Sequence, residues 1–152
     1  MSFAKEQKED ILSVVEKNVC CRRALLLGVM FAKANIVEDE LKLTLEGNST
    51  VLYASTLIQE FYSKSPDILK NTSGGRGKTI SFNSKSAIKY IRNLKEKTIC
   101  EPKCSACSSA FLRGVFLACG RVSEPSKQHN LELALLPERV PMGIAYLATL
   151  GL

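Results

Sequence analysis

The sequence repeats itself, and the repeat limits what it can fold into more than any other feature does. Laid back by 86 positions, Ala110 falls on Ala24, Gly114 on Gly28 and Ala118 on Ala32. A four-residue insertion in RVSEPSKQH raises the offset to 90. Leu131, Leu133 and Leu135 of NLELALLP then fall on Leu41, Leu43 and Leu45 of ELKLTLEG, and Leu147 falls on Leu57. Each unit reads helix, strand, strand, helix, and duplicated units of this order pair about a pseudo-twofold axis. The repeated helices carry Gly28-x3-Ala32 and Gly114-x3-Ala118, which leave one flank of each without bulk, so the two are expected to cross at close range.

Hydrophobic periodicity fills in the rest. Residues 4–17 read as a first helix and Arg22 to about Ala34 as a second, carried by ALLLGVMFAKA. A weak strand follows around Ile36 and Val37. A clear one alternates Leu41, Leu43 and Leu45 against Lys42, Thr44 and Glu46. Asn48, Ser49 and Thr50 are N-cap candidates for a helix carrying Val51, Leu52, Leu57, Ile58 and Phe61. A hairpin is expected from Ile68–Lys70 through a turn at Ser73–Gly77 to Thr79–Phe82, and then a helix over 84–96. By the measure of the first unit, the second lacks a closing strand, strand and helix of about 35–40 residues, which predicts an exposed sheet edge near Leu152.

Size and composition agree with one soluble core. A chain of 152 residues buries enough surface to fold without staples, and six cysteines are too few for a disulfide scaffold. The N-terminal MSFAKEQKEDILSVVEKN contains no apolar core of a secretion signal. The longest apolar run, Ala24 to Ala32, is nine residues, less than half of a membrane span. Reduced thiols, a cytoplasmic setting and no membrane partner are the expectation.

Charge is concentrated rather than spread. Residues 61–104 hold ten basic side chains against three acidic ones, whereas the rest of the chain holds eleven against twelve. Within that patch, SKSAIKYIRNLKE puts Ala87, Ile88, Ile91 and Leu94 on one helical face and Lys85, Lys89 and Arg92 on the other. Such a row suits either phosphate contacts with counterion release or a solvated face.

Three patterns suggest chemistry without establishing it. NTSGGRGKT (71–79) resembles a phosphate loop, but Thr72 stands where its first glycine belongs and TISF after it alternates like a strand. A hairpin turn whose Arg76 and Lys78 reach phosphate fits better. Cys100-x3-Cys104-x2-Cys107 has the spacing of iron–sulfur ligation found in far larger barrels. It could also begin a zinc site if Cys119, Cys20, Cys21 or His129 gave a fourth ligand, and the repeat sets Cys21 and Cys107 at equivalent helix starts. Small, semi-buried packing is the simpler role for these thiols, and no metal or cofactor is assigned. His129, the single histidine, has no nucleophile at a catalytic spacing.

MSFAKEQKEDIL, NVCCRRALLLGV and AFLRGVFLACGRVSEPSK together resemble the WhiA family of bacterial sporulation and cell-division regulators, over the whole chain. The resemblance implies an α+β fold of LAGLIDADG homing-endonuclease type: an antiparallel saddle sheet with helices on one face, and two pseudo-symmetric repeats with their motif helices crossing at the centre. It divides the chain into an N-terminal helix (1–19), a first repeat (20–103) and a second, truncated repeat (104–152). A C-terminal helix-turn-helix domain, which family members carry, would lie outside this sequence.

Active LAGLIDADG enzymes need an acid at the foot of each motif helix to hold divalent ions. Here those positions fall on Lys33 and Cys119. An ammonium repels a metal and a thiol is a poor ligand for a hard cation, so a non-catalytic protein is expected. The resemblance implies a DNA-binding transcription regulator acting in cell cycle, division, chromosome segregation and sporulation, associated with the nucleoid. Arg76, Lys78, Lys85, Lys89 and Arg92 are the candidate phosphate contacts, chosen by charge. Gly28, Ala32, Gly114 and Ala118 are the candidate helix interface. The alternatives are a module that binds a partner regulator, and a residual metal-dependent endonuclease.

Overall fold

The computed structural model of the protein describes residues 3–14, 16–70, 77–96, 98–122 and 130–152. The elements run α1 (Phe3–Ser13), α2 (Val19–Lys33), β1 (Asn35–Val37), β2 (Glu40–Leu45), α3 (Asn48–Tyr62), β3 (Asp67–Lys70), β4 (Lys78–Phe82), α4 (Lys85–Arg92), α5 (Cys107–Cys119), β5 (Gly120–Val122), β6 (Leu131–Leu133), a 3-10 turn (Pro137–Arg139) and α6 (Val140–Thr149). Both units thus show the helix, strand, strand, helix order. The strands form a four-stranded antiparallel sheet in the order β1-β2-β4-β3 and a two-stranded sheet of β5 and β6.

At the centre α2 crosses α5, the largest contact between any two elements. A side-chain carbon built on Gly28 would run into the Phe111 carbonyl, with the Val115 amide beside it. One built on Gly114 would run into the Leu25 carbonyl, with the Val29 amide beside it. Phe111 and Val115 lie 86 positions after Leu25 and Val29, so the two glycines make the same contact in opposite directions, as a twofold relation requires. Ala32 and Ala118 are buried along the same helices. Between Ala24 and Ala32 α2 is apolar on every side and buried on every side, and Leu26, Leu27 and Met30 are fully buried. Phe31 stacks obliquely on Phe111, which meets Tyr146 of α6 edge-on at 5.1 Å.

The four-stranded sheet is two-faced. Leu41, Leu43 and Leu45 pair in register with Phe82, Ile80 and Lys78, and the three leucines are buried under the helices. Lys42 and Thr44 pair with Ser81 and Thr79 on the opposite face, where the Thr44 and Thr79 hydroxyls bond at 2.9 Å. Such alternation is how an antiparallel sheet keeps one face open.

Several local expectations are corrected. Helix α2 starts at Val19, with Asn18 extended before it, so Cys20 and Cys21 form its first turn. Asn48, Ser49 and Thr50 do not cap α3. They are its first turn, and Gly47, at φ 89°, occupies the N-cap without a side chain to offer. The basic helix α4 covers Lys85–Arg92 rather than 84–96, with Ser84 Oγ accepting from the Ala87 amide; Asn93 leaves the helix and Leu94 reaches the core from outside it. The leucines of NLELALLP do not repeat the burial of ELKLTLEG. Leu131 is 63% exposed where Leu41 is fully buried, and Leu135 lies beyond β6, because among the described residues the second sheet has only two strands. The turn expected at Ser73–Gly77 lies, except for Gly77, outside the described residues, as do Arg76 and His129.

Candidate nucleic-acid interface

Both motif helices end on the open side of the sheet, and their last residues line one groove of about 1380 Å³. Lys33 closes α2 and Cys119 closes α5. Asn35 and Arg121, two residues further on in each unit, line the same groove, so the two repeats supply equivalent pairs. Lys42, Thr44 and Thr79 contribute the open face of the sheet, and Lys5, Lys8, Glu9 and Leu12 of α1 form a further wall. Among the described residues the lining holds five basic side chains (Lys5, Lys8, Lys33, Lys42, Arg121) against two acidic ones (Glu9, Glu46).

Electrostatics at the foot of the helices runs against cation binding. Cys119 donates to the Val115 carbonyl at 3.2 Å. Burial pushes its thiol up despite the opposing charges of Lys33 and Lys8, so it is a neutral thiol at pH 7. Burial pulls the Lys8 ammonium down from its usual value, with Glu46 acting in the opposite direction, and Lys8 Nζ also sits over the Phe116 ring at 5.8 Å from its centroid. An ammonium at one foot and a neutral thiol at the other offer no oxygen cage for a hard divalent ion. A groove with this charge balance attracts anions.

The residues chosen from charge clustering lie elsewhere. Lys85, Lys89 and Arg92 are exposed on α4, whose Ala87, Ile88 and Ile91 pack into the core, on the leucine side of the sheet and away from the groove. Arg92 approaches Asp39 at 4.0 Å, a surface pair of little energetic consequence. Lys78 is half-buried at the start of β4, in register with Leu45 and Lys70. The structure therefore does not bring the basic helix and the basic groove together. Sequence reasoning passed over Lys5, Lys8, Lys42 and Arg121, although the offset of 86 that maps Cys119 onto Lys33 also maps Arg121 onto Asn35.

The cysteines separate into two groups. Cys104 and Cys107 meet Cys20 and Cys21 at the opposite end of the motif helices from Lys33 and Cys119, while Cys100, part of the expected cluster, is buried apart from them in the core.

Comparison with known proteins agrees with this architecture. Residues 108–151 match the family model described as the WhiA LAGLIDADG-like domain. The chain is 26% identical to the "Probable cell division protein WhiA" of Moorella thermoacetica, over 94% of this chain and 46% of that protein. It is 30% identical to the protein of the same name from Carboxydothermus hydrogenoformans, over 91% of this chain and 50% of that one. The chain thus spans about half the length of the curated relatives it matches. Its fold superposes on the crystal structure of the N-terminal LAGLIDADG domain of DUF199/WhiA with a TM-score of 0.73 at 20% identity, covering 98% of this chain and 73% of that one. Among the described residues no helix is long and apolar enough to cross a membrane. With two repeats crossing through Gly28 and Gly114 and the fold of the N-terminal LAGLIDADG domain of DUF199/WhiA, the chain is similar to WhiA proteins over the half of their length that it spans.

Proposed function

We propose that this chain is a non-catalytic DNA-binding module of a WhiA-type regulator of cell division and sporulation, and that it holds duplex DNA by its phosphates along the open face of the sheet. The observation that carries this reading is the groove itself: five basic side chains against two acidic ones, drawn from α1, both repeats and the sheet, converging where the two motif helices end. Lys33 and the neutral thiol of Cys119 stand where metal-binding acids would be required, which supports binding without cleavage. Contacts of this kind position a duplex and carry no sequence information. Sequence choice would then rest with other parts of the protein or with a partner regulator, and the site of action would be the nucleoid.

The exposed row Lys85, Lys89 and Arg92, with Lys78, supports a second reading in which α4 presents the phosphate-binding surface from the other side of the sheet. Fluorescence anisotropy with a mixed-sequence duplex between 50 and 200 mM salt separates the two. Each phosphate contact contributes about 0.9 to the slope of log K against log salt. Replacing Lys8, Lys33, Lys42 and Arg121 by glutamine is expected to lower that slope by about 3 to 4, while replacing Lys85, Lys89 and Arg92 leaves it unchanged. The reverse pattern transfers the interface to α4. No salt-dependent binding by the unaltered chain rejects both and favours a module that only holds a partner protein. Nicking of supercoiled plasmid in Mg²⁺ would overturn the non-catalytic assignment.

A further inference from the structure

Four of the six cysteines point at one place. Cys20 and Cys21 lie in the first turn of α2, Cys107 opens α5, and Cys104 sits on the segment just before it. Their four sulfur atoms all fall within 4.8 Å of one another. Cys20 to Cys104 is 3.5 Å, Cys21 to Cys104 is 3.6 Å and Cys104 to Cys107 is 3.6 Å. All are free thiols, and these separations are far from the ~2.05 Å of a disulfide. Disulfide chemistry also joins sulfurs in twos, whereas Cys104 here has three sulfur neighbours.

The geometry matches a different bond. A tetrahedral zinc ion with Zn–S of about 2.3 Å holds its sulfurs about 3.8 Å apart, close to the three separations above. The surroundings suit thiolates as well. The Lys103 amide donates to Cys107 Sγ at 3.4 Å. Amide donors onto ligating sulfur are the outer shell that orients such ligands. The N-terminal ends of α2 and α5 both face the cluster, and their dipoles favour the net negative charge of a tetrathiolate ion complex. Cys21 and Cys107 are buried, Cys20 is half-buried and Cys104 exposed, which leaves an entry path for an ion. Soft thiolates select zinc over hard cations.

We propose that Cys20, Cys21, Cys104 and Cys107 bind one Zn²⁺ in a closed tetrathiolate site that staples the start of α2 to the segment entering α5. With all four positions filled by protein, the site is structural. It fastens the two repeats to each other at one end of the helix pair, and the phosphate-binding groove lies at the other. Cys100 and Cys119 stand outside it and serve as internal controls.

The test uses the full chain, reduced and stripped of metal, titrated with Co²⁺ as an optical probe and then with Zn²⁺. One equivalent of Co²⁺ is expected to produce thiolate-to-metal charge transfer and the visible bands of a tetrahedral ion, and one equivalent of Zn²⁺ to abolish them. The Cys100→Ser/Cys119→Ser double variant should give the same titration. Cys104→Ser, at an exposed position where loss of fold is not expected, should weaken binding by about tenfold or more, with circular dichroism verifying its helices. Absence of the bands in the unaltered chain, bands that zinc does not displace, or bands lost in the double variant but kept in Cys104→Ser would each overturn the proposal. The first of these readouts does not depend on any variant folding.

Discussion

Gly28 and Gly114 face each other's helix through one contact made twice, each with its α-carbon against the backbone of the other unit. Alanine in an exposed helix ordinarily gains about 1 kcal/mol over glycine. Here the added methyl would meet carbonyl and amide atoms that can move only if the whole helix moves. Gly28→Ala or Gly114→Ala is therefore expected to destabilise the fold by about 2–3 kcal/mol, in the range of an overpacked core. Urea unfolding checks this. Since one widening of the α2–α5 crossing accommodates both methyls, the double variant should lose clearly less than the sum of the two.

A second device holds the far end of α2. Arg139, 6% exposed, donates to the carbonyls of Phe31 at 2.7 Å and Ala34 at 2.6 Å, and more weakly to that of Met30, while the Leu136 amide donates to the Ala32 carbonyl. Carbonyls at the end of the helix thus receive donors from one turn of the second repeat, and the guanidinium meets the negative end of the helix dipole. Arg139→Met should cost about 2–4 kcal/mol in thermal or urea unfolding, because buried acceptors lose a charged donor. Arg139→Lys should recover only part of it, since an ammonium lacks the planar fork.

How far the chain could be read from its letters depended on which physical signal each residue carries. The helix crossing was legible because small residues recur at the same spacing in both units, and β2 because Leu41, Leu43 and Leu45 alternate with polar neighbours. The groove was half-legible. The repeat located its foot at Lys33 and Cys119, but Lys8 joins it only through the way α1 packs, which no periodicity encodes. Charge density pointed instead to α4, where the sheet intervenes. The cysteine cluster was obscured because Cys100 shares the local spacing with Cys104 and Cys107, whereas Cys20 and Cys21 are more than eighty residues away. Leu131 misled because burial is decided by neighbouring strands rather than by a residue's own pattern.

The turn between β1 and β2 went unread for a related reason. Val37 pairs with Glu40, and the two residues between them, Glu38 and Asp39, have φ of 51° and 66°. Two left-handed residues make the tight hairpin turn that an asparagine followed by a glycine favours, and here neither position holds one. The double variant Glu38→Asn/Asp39→Gly should therefore be more stable by about 0.5–1 kcal/mol in urea unfolding. The Asp39 contact with Arg92 is too exposed and too long to offset the gain.

The tyrosines predict how the fold fails at high pH. Burial raises the phenols of Tyr53, Tyr62, Tyr90 and Tyr146 above their ordinary value, Tyr90 strongly and Tyr146 to about 12. Folding therefore favours the protonated phenols. Their contribution is complete below the unfolded value of about 10 and is lost as pH rises from there towards the folded values, where the unfolded chain has released protons that the folded chain keeps. Each tyrosine fully linked in this way removes about 1.4 kcal/mol of stability per pH unit. Ultraviolet titration should show tyrosinate appearing near pH 10 in urea but delayed, and then coupled to unfolding, in the native chain. Tyr90 donates its hydroxyl to the Ile99 carbonyl, with the Leu27 carbonyl further off at 3.4 Å, so Tyr90→Phe should be less stable by about 1 kcal/mol at pH 7. Having one phenol fewer to ionise, it should lose stability more slowly above pH 10. The stability curves of the two proteins should then converge as pH rises, and a constant gap between them would mean that Tyr90 contributes nothing to the alkaline transition.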